Sequence, residues 1–374
     1  MALLLLIIKK DKKMAVEFLK SKKIENLYKE IENKGFFSKN KKKNIVNKVL
    51  KKYHLDQHEL YYVYRNKDKN NLDYINYRKN LKKTVSKKKQ TYFPQYLLIE
   101  PTSICNLRCV MCFQQDKSFS SNKKYMGKMD INLFKEIIDQ AEKGGTKSIT
   151  LASRGEPTLN SNLPEMLDYI KGKFLELKLN TNGTLLSENL SREILKAGVN
   201  DLVFSIDSHE KAKYEKIRVK GKFNKVLENI KKFLTIRENE FPEHTTTVRV
   251  SGVKVSKNLD KNEFNEFWNE LVDYSVLVNL EQRWDTYNNE IQCKNNLLPC
   301  DYLWKQMYVW WDGTVNPCDI DYKSSLAIGS LKNNSIKDLW NSEKYNALRQ
   351  KHLSGNRTDY SVCSKCNAWS KKKK

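Results

Sequence analysis

The sequence predicts an α/β protein: a parallel sheet covered by helices, preceded by a basic, mainly helical extension and followed by a small Cys-rich segment. Three observations carry this. From residue 95 onward, short β-rich apolar runs alternate with helical patterns six times in about 190 residues, and strict alternation argues for parallel strands joined by crossover helices. Residues 1–90 hold 26 Lys+Arg against 9 Asp+Glu, whereas residues 91–374 hold 43 against 35. Residues 291–370 break the alternation and carry Trp304, Trp310, Trp311, Trp340 and Trp369 with five of the eight cysteines. The expected division is a basic extension over 1–90, a core over 91–290, a Cys-rich domain held partly by metal over 291–370, and a basic tail over 371–374.

In the extension, Phe18, Ile24, Leu27, Tyr28 and Ile31 share one helical face. Ile45, Val46, Val49, Leu50 and Tyr53 share another. Met14 opens a normal-looking N-terminus, so residues 1–13 read as an upstream extension. In the core, Tyr96–Glu100 reads as the first strand. Asn132–Lys143 is a helix with Leu133, Phe134, Ile137 and Ile138 on one face, closed by Gly144-Gly145. Ser148–Ala152, Leu175–Leu179, Leu202–Ile206, Thr246–Val255 and Val276–Glu281 are the further strands. Leu163–Ile170, Glu188–Leu195, a helix containing Val226–Ile236, and Glu263–Val272 lie between them.

Composition excludes some classes. The longest unbroken apolar run is Ala2–Ile8, far short of the ~20 residues a membrane-crossing helix needs. It is also a poor secretory signal, because no basic stretch precedes it and Lys9–Lys13 follows it. A cytoplasmic location is therefore expected, where eight cysteines serve metals or redox groups rather than disulfides. The net charge of +25 resides mainly in the extension. It suits nucleic acid, an anionic membrane surface or an acidic partner protein, against the plainer reading of a lysine-biased, solvated surface.

Cys105-Asn-Leu-Arg-Cys109-Val-Met-Cys112 is the sharpest signal. Three thiolates within eight residues can converge from one loop directly after the first strand. Three cannot complete a four-ligand site: structural zinc wants a fourth ligand, and an ordinary four-iron four-sulfur cluster wants four thiolates. A three-ligand cluster leaves one iron open for a substrate or cofactor. Zinc with a remote fourth ligand is the competing reading.

At this spacing the triad resembles the radical S-adenosylmethionine (SAM) superfamily, and further matches follow in family order. Ser153-Arg154-Gly155-Glu156-Pro157 resembles the Gly-Gly-Glu-Pro motif, whose acid accepts hydrogen bonds from the SAM amino group; Arg154 stands where the pattern has Gly. Thr181-Asn182-Gly183-Thr184 follows the third strand. Ser205-Ile206-Asp207 ends the fourth, where such enzymes hold the SAM carboxylate and ribose. Tyr214–Arg218 looks like the stretch that follows in SPASM-type members. Met111 stands where many members have an aromatic. By this resemblance Cys105, Cys109 and Cys112 are cluster ligands, and Gly155, Glu156, Pro157, Thr181, Asn182, Ser205, Asp207 and Arg218 are SAM-binding candidates. The implied fold is a partial (β/α)6 TIM-like barrel.

Cys300, Cys318, Cys363 and Cys366 look like the SPASM, or shortened twitch, domain. There a hairpin and a helix bring thiolates to an auxiliary cluster. Asp312-Gly313 between β-formers is the hairpin signal. Four cysteines imply one auxiliary four-iron four-sulfur cluster; a Cys-four zinc site satisfies the same spacing. Cys293 is left without a partner and reads as a buried or free thiol. The histidines His54, His58, His209, His244 and His352 show no metal-ligand spacing and read as surface or packing residues. Trp340 and Tyr345 read as core.

The resemblance implies that reductive SAM cleavage yields a 5′-deoxyadenosyl radical, which abstracts hydrogen from substrate. A closed auxiliary cluster favours electron acceptance, hence net oxidation of a hydroxylated, sugar-like metabolite. That reaction needs a base for the hydroxyl proton, with Asp285 foremost among Glu281, Arg283, Asp285 and Asp321. An acidic donor of flavodoxin or ferredoxin type is implied as partner. The alternative is a maturase modifying a peptide or protein. The outside alternative is a Cys-zinc protein binding nucleic acid through its basic arm.

Overall fold

In the computed structural model the described residues are 26, 55–66, 71–280, 286–287 and 298–366. The expectations for the helical faces between residues 18 and 53, Met14, His54, Glu281, Arg283, Asp285, Cys293, Trp369 and the basic tail lie outside them. The chain divides into two compact units, Met1–Lys79 and Asn80–Lys374. In the first, α1 (Gln57–Arg65) opens on a capping box. Asp56 accepts from the Glu59 N–H at 2.8 Å and Glu59 accepts from the Asp56 N–H at 2.9 Å, satisfying backbone donors the helix cannot. Arg78, on α2 (Asn71–Ser86), pairs with Glu59 at 2.9 Å.

The second unit is built on six parallel strands: β1 (Tyr96–Ile99), β2 (Ser148–Leu151), β3 (Glu176–Thr181), β4 (Asp201–Ser205), β5 (Thr247–Lys254) and β6 (Tyr274–Asn279). They lie side by side in chain order, as a partial (β/α)6 barrel requires. Their crossovers carry α3 (Ile131–Gly144), α4 (Leu163–Ile170), α5 (Glu188–Lys196), α6 (Lys211–Ile217), α7 (Phe223–Glu240) and α8 (Lys261–Asn269). The expected elements all form, with boundaries shifted by a few residues. Register aligns Ile99, Leu151, Leu179, Leu202 and Val248 in one row across five strands. All five are fully buried, each such side chain contributing about 1.5–3 kcal/mol. Helix ends are set locally. Asp130 caps α3 by accepting from the Asn132 and Leu133 N–H groups, and Gly145 ends it at φ 81°, a left-handed conformation glycine adopts without strain.

The Cys-rich segment continues this sheet. β7 (Met307–Val309) runs parallel to β1 on its outer side, pairing Ile99 with Val309. β8 (Thr314–Asn316) is antiparallel to β7, and β9 (Gly329–Ser330) to β8. The β7–β8 turn closes with Gly313 at φ 83°, at the Asp-Gly pair. α9 (Ile336–Trp340) and α10 (Glu343–Leu353) follow. Trp340 and Tyr345 are fully buried, with the Arg349 guanidinium over both rings at 4.3 and 4.0 Å. Among the described residues no helix is long and apolar enough to cross a membrane.

Candidate functional site

Parallel strands point one way, so the loops after β1, β2, β3 and β4 meet at one end of the sheet. The loop after β1 carries Cys105, Cys109 and Cys112. Its start is fixed by backbone: the Ile104 carbonyl accepts from the Glu156 N–H at 2.8 Å. Gln114 bridges the Ser103 and Arg154 carbonyls at 2.8 and 2.7 Å. Gly155 lies against the same loop. A Cβ there would stand 2.3 Å from the Thr102 carbonyl oxygen and 2.5 Å from that of Ile104, backbone atoms that cannot swing aside. Gly155→Ala is therefore expected to cost about 1–3 kcal/mol and to lower iron uptake at the triad. The check is a thermal melt with iron analysis, and a variant melting with the wild type would contradict the close approach.

Glu156 is buried and joins the loops after β2 and β3. Its Oε1 accepts from the Thr181 and Thr158 hydroxyls at 2.7 and 2.8 Å and from the Thr158 N–H at 3.2 Å. Oε2 accepts from the Asn182 N–H at 2.6 Å, leaving a second lone pair there for an ammonium group. Burial raises the Glu156 pKa, against the lowering effect of these donors. Pro157 opens the short 3-10 turn that Glu156 caps. The Asn182 amide donates to Asn106 Oδ1 at 2.9 Å, and Asn106 donates to the Thr184 hydroxyl at 2.8 Å, tying the third loop to the residue after Cys105. Gly183 makes this turn at φ 74°.

Ser205 ends β4, half-buried. Asp207 is fully buried; its Oδ1 accepts from the Val253 N–H at 2.8 Å and its Oδ2 from Arg218 Nε at 2.7 Å. Arg218 Nη1 then reaches Cys109 Sγ at 3.8 Å. Arg108–Cys109 pairs antiparallel with Arg218–Val219, so backbone and side chain both set Cys109 against the Asp207–Arg218 pair. The structure thus brings Asp207, Arg218 and Cys109 together as one chain of contacts.

Arg154 is buried and pairs in two-pronged fashion with fully buried Glu100, at 2.7 Å from Nε and 2.6 Å from Nη2. Its Nη1 donates to the Tyr322 carbonyl at 2.8 Å, and its guanidinium lies 4.2 Å from the Trp310 ring centre. The backbone there asks for no glycine at 154; the positive φ belongs to Ser153, at 140°. Arg154 thereby links the second loop to the end of β1 and to the Cys-rich segment. That segment also meets the cysteine loop directly: the Tyr322 hydroxyl donates to Asp116 at 2.8 Å and Lys323 pairs with Asp116 at 2.6 Å. These contacts hold the Asp116 carboxyl low, at about 2, against the opposing effect of burial.

Cys300, Cys318, Cys363 and Cys366 line one pocket, with His352, Arg357, Ile320 and Val362 among its other walls. Arg357 is buried and fixes the Cys363-Ser-Lys-Cys366 turn. Its Nη2 donates to the Cys363 and Cys366 carbonyls at 3.2 and 2.5 Å, and Nη1 to the Leu298 carbonyl at 3.0 Å. Asn316 holds the Cys318 loop through the Cys318 and Asp321 carbonyls at 2.7 and 3.0 Å. Asp321 is fully buried; it accepts from the Ser325 N–H and hydroxyl at 2.9 and 2.8 Å, from the Leu326 N–H at 2.8 Å, and from the Tyr287 hydroxyl. A carboxylate so occupied holds a loop and is poorly placed to take a substrate proton. The sequence signals neither Arg357 nor the pairing of Arg154 with Glu100, and it reads His352 only as a surface or packing residue, because the partners of all three lie far along the chain.

Both cysteine sets suit a polynuclear thiolate-bound centre. Burial pushes the Cys105 thiol up to about 12, with the neighbouring Cys109 and Cys112 adding to it, and Cys363 likewise to about 12. Burial also raises Cys109, against the lowering effect of Arg218, and it raises Cys300 and Cys318. A bound metal ion's charge reverses this and deprotonates a coordinating thiol. Among the described residues no group of three or more His, Cys, Asp or Glu side chains is set to hold a single metal ion.

Comparison with known proteins agrees. Residues 99–253 match the radical SAM superfamily, and residues 300–367 match the SPASM iron–sulfur cluster-binding domain. The tungsten-containing aldehyde ferredoxin oxidoreductase cofactor-modifying protein of Pyrococcus furiosus is 27% identical over 73% of this chain and 89% of its own. Two solved structures share the fold. One is Streptococcus suis SuiB bound to precursor peptide SuiA (TM-score 0.56, 14% identity, 75% of this chain and 72% of that one). The other is anSMEcpe with bound AdoMet (TM-score 0.53, 17% identity, 75% and 92%). A radical SAM domain that uses SAM and a four-iron four-sulfur cluster, joined to a SPASM domain for further iron–sulfur ligation, places this chain among the SPASM-containing radical SAM enzymes.

Proposed function

We propose that the protein oxidises a hydroxylated, sugar-like metabolite by two electrons, with the C-terminal four-thiolate centre accepting one of them. The observation that carries this reading is that, among the described residues, four cysteines, and not three, line the C-terminal pocket. Four thiolates close every corner of a four-iron cluster, which leaves electron acceptance rather than substrate ligation as its role. When bound, SAM and the first cluster would supply the radical chemistry that removes a hydrogen atom from the substrate carbon. The protein's own residues do the rest. Cys105, Cys109 and Cys112 hold the first cluster. Glu156 would offer its Oε2 lone pair to the SAM ammonium, and Gly155 and Pro157 shape the turn that presents it. Thr181 and Asn182 keep that carboxylate in place, Ser205 at the end of β4 would meet the SAM ribose, and Asp207 orients Arg218 beside Cys109. Asp285, which follows β6 in sequence, takes the hydroxyl proton. The first electron comes from a flavodoxin or ferredoxin-type donor.

A second reading, modification of a peptide or protein, is favoured by the fold shared with SuiB, which was solved with its precursor peptide, and by the basic stretch before the barrel. The test is 5′-deoxyadenosine release from anaerobically reconstituted protein, which should hold about eight irons by ligand count, against panels of nucleotide sugars, cyclitols and short peptides. The expected result is stimulation by a hydroxylated metabolite, with one 5′-deoxyadenosine formed per carbonyl product. Stimulation by peptides alone overturns the first reading in favour of the second.

A further inference from the structure

We infer that His352 donates a hydrogen bond from Nε2 to the auxiliary iron–sulfur cluster and raises its reduction potential. The inference rests on the cluster assignment of the C-terminal pocket. His352 sits near the end of α10, is 3% exposed, and lines the pocket formed by Cys300, Cys318, Cys363 and Cys366. Its Nδ1 accepts a hydrogen bond from the Cys300 backbone N–H at 3.2 Å. A neutral imidazole has one donor and one acceptor nitrogen, so an accepting Nδ1 places the proton on Nε2. That Nε2 is buried and meets no hydrogen-bond partner among the described residues. A buried donor without an acceptor is unfavourable, a penalty cluster sulfur in the pocket would remove.

The placement sets the sign of the effect. Reduction adds negative charge to the cluster, and an N–H dipole aimed at its sulfur stabilises that charge. Hydrogen bonds to the sulfurs are among the features that set cluster potentials. Other charges face the same pocket: Arg357, whose guanidinium is held by the Cys363 and Cys366 carbonyls, already contributes a fixed positive charge. His352 adds a directed donor on the side of Cys300. The residue is a positioning and tuning group for the electron acceptor.

The experiment uses the full chain carrying Cys105→Ala, Cys109→Ala and Cys112→Ala, which isolates the auxiliary centre. Iron analysis comes first: about four irons per chain support the cluster assignment, and none refutes that assignment itself. On the iron-loaded protein, ¹⁵N-histidine labelling and pulsed electron paramagnetic resonance of the reduced cluster should show a weak histidine nitrogen coupling with an exchangeable proton. His352→Leu should remove the coupling and move the midpoint potential downward, and His352→Gln, which keeps an N–H donor, should recover part of the shift. The inference is overturned if the labelled parent protein shows no histidine coupling, or a coupling strong enough for direct iron ligation. It is also overturned if His352→Leu leaves the potential unchanged. Since the parent protein alone can refute it, a Leu variant that fails to load iron does not rescue it.

Discussion

Cys109→Ala is expected to reduce dithionite-dependent 5′-deoxyadenosine formation to background and to lower the iron content by about half, from about eight to about four per chain. Cys109 is the most enclosed of the three loop cysteines and the one that Arg218 contacts through Nη1 at 3.8 Å. Removing its sulfur leaves two thiolates, too few to hold a cluster with one open iron, and leaves the Arg218 guanidinium facing an empty place. The fold should survive, because Asp207 still holds Arg218 at 2.7 Å and the Arg108–Cys109 backbone pairing does not depend on the side chain. The contrasting variant is Cys363→Ala. It should lose the auxiliary irons yet still cleave SAM without oxidising substrate, because Cys363 lies in the other pocket. Iron analysis and 5′-deoxyadenosine quantification on both variants check this. Wild-type turnover in Cys109→Ala would show that SAM is cleaved elsewhere.

The barrel was legible in the sequence because its signals are local. Leu163–Ile170 carries its apolar residues at helical spacing and its proline in the first turn. The row of Ile99, Leu151, Leu179, Leu202 and Val248 comes from short apolar runs between polar turns. The cysteine loop was legible for the same reason, as eight consecutive residues following a strand. Contacts made by distant residues were not. Met307–Val309 contains nothing that tells a reader it will pair with β1 more than 200 residues earlier, so the Cys-rich segment reads as separate although it extends the barrel's sheet. His352 has no neighbour at metal-ligand spacing. Its place at the cysteine pocket depends on α10 packing back over Cys300, which only the folded chain reveals. Asp321 illustrates the converse. As a carboxylate near the auxiliary cysteines it reads as a candidate base, but the Ser325 and Leu326 N–H groups and two hydroxyls occupy it.

Arg154 shows how a departure from a family pattern can be structural. Where the pattern has glycine, this chain places a guanidinium that neutralises Glu100, caps the Tyr322 carbonyl and stacks on Trp310. Arg154→Gly restores the pattern residue and is nonetheless expected to destabilise the protein by about 3–5 kcal/mol, the cost of leaving one partner of a buried ion pair uncompensated. For a unit of this size that corresponds to a melting temperature lower by roughly 5–8 °C. Removing the charge from both partners is the discriminating step. Arg154→Met combined with Glu100→Gln should recover most of the loss, since a buried pair replaced by neutral side chains of similar volume is often close to neutral in stability. The double variant still lacks the Tyr322 contact, so it is expected to bind the auxiliary cluster less tightly than wild type while melting near it. Thermal unfolding of the three anaerobically purified, iron-loaded proteins, with iron measured before and after a chelator challenge, separates the two roles. If Arg154→Gly melts with the wild type, the Arg154 contacts with Glu100 and Tyr322 are not what holds the second loop to the end of β1 and to the C-terminal segment. That junction would then rest on the Asp116 contacts with Tyr322 and Lys323 and on the β1–β7 pairing.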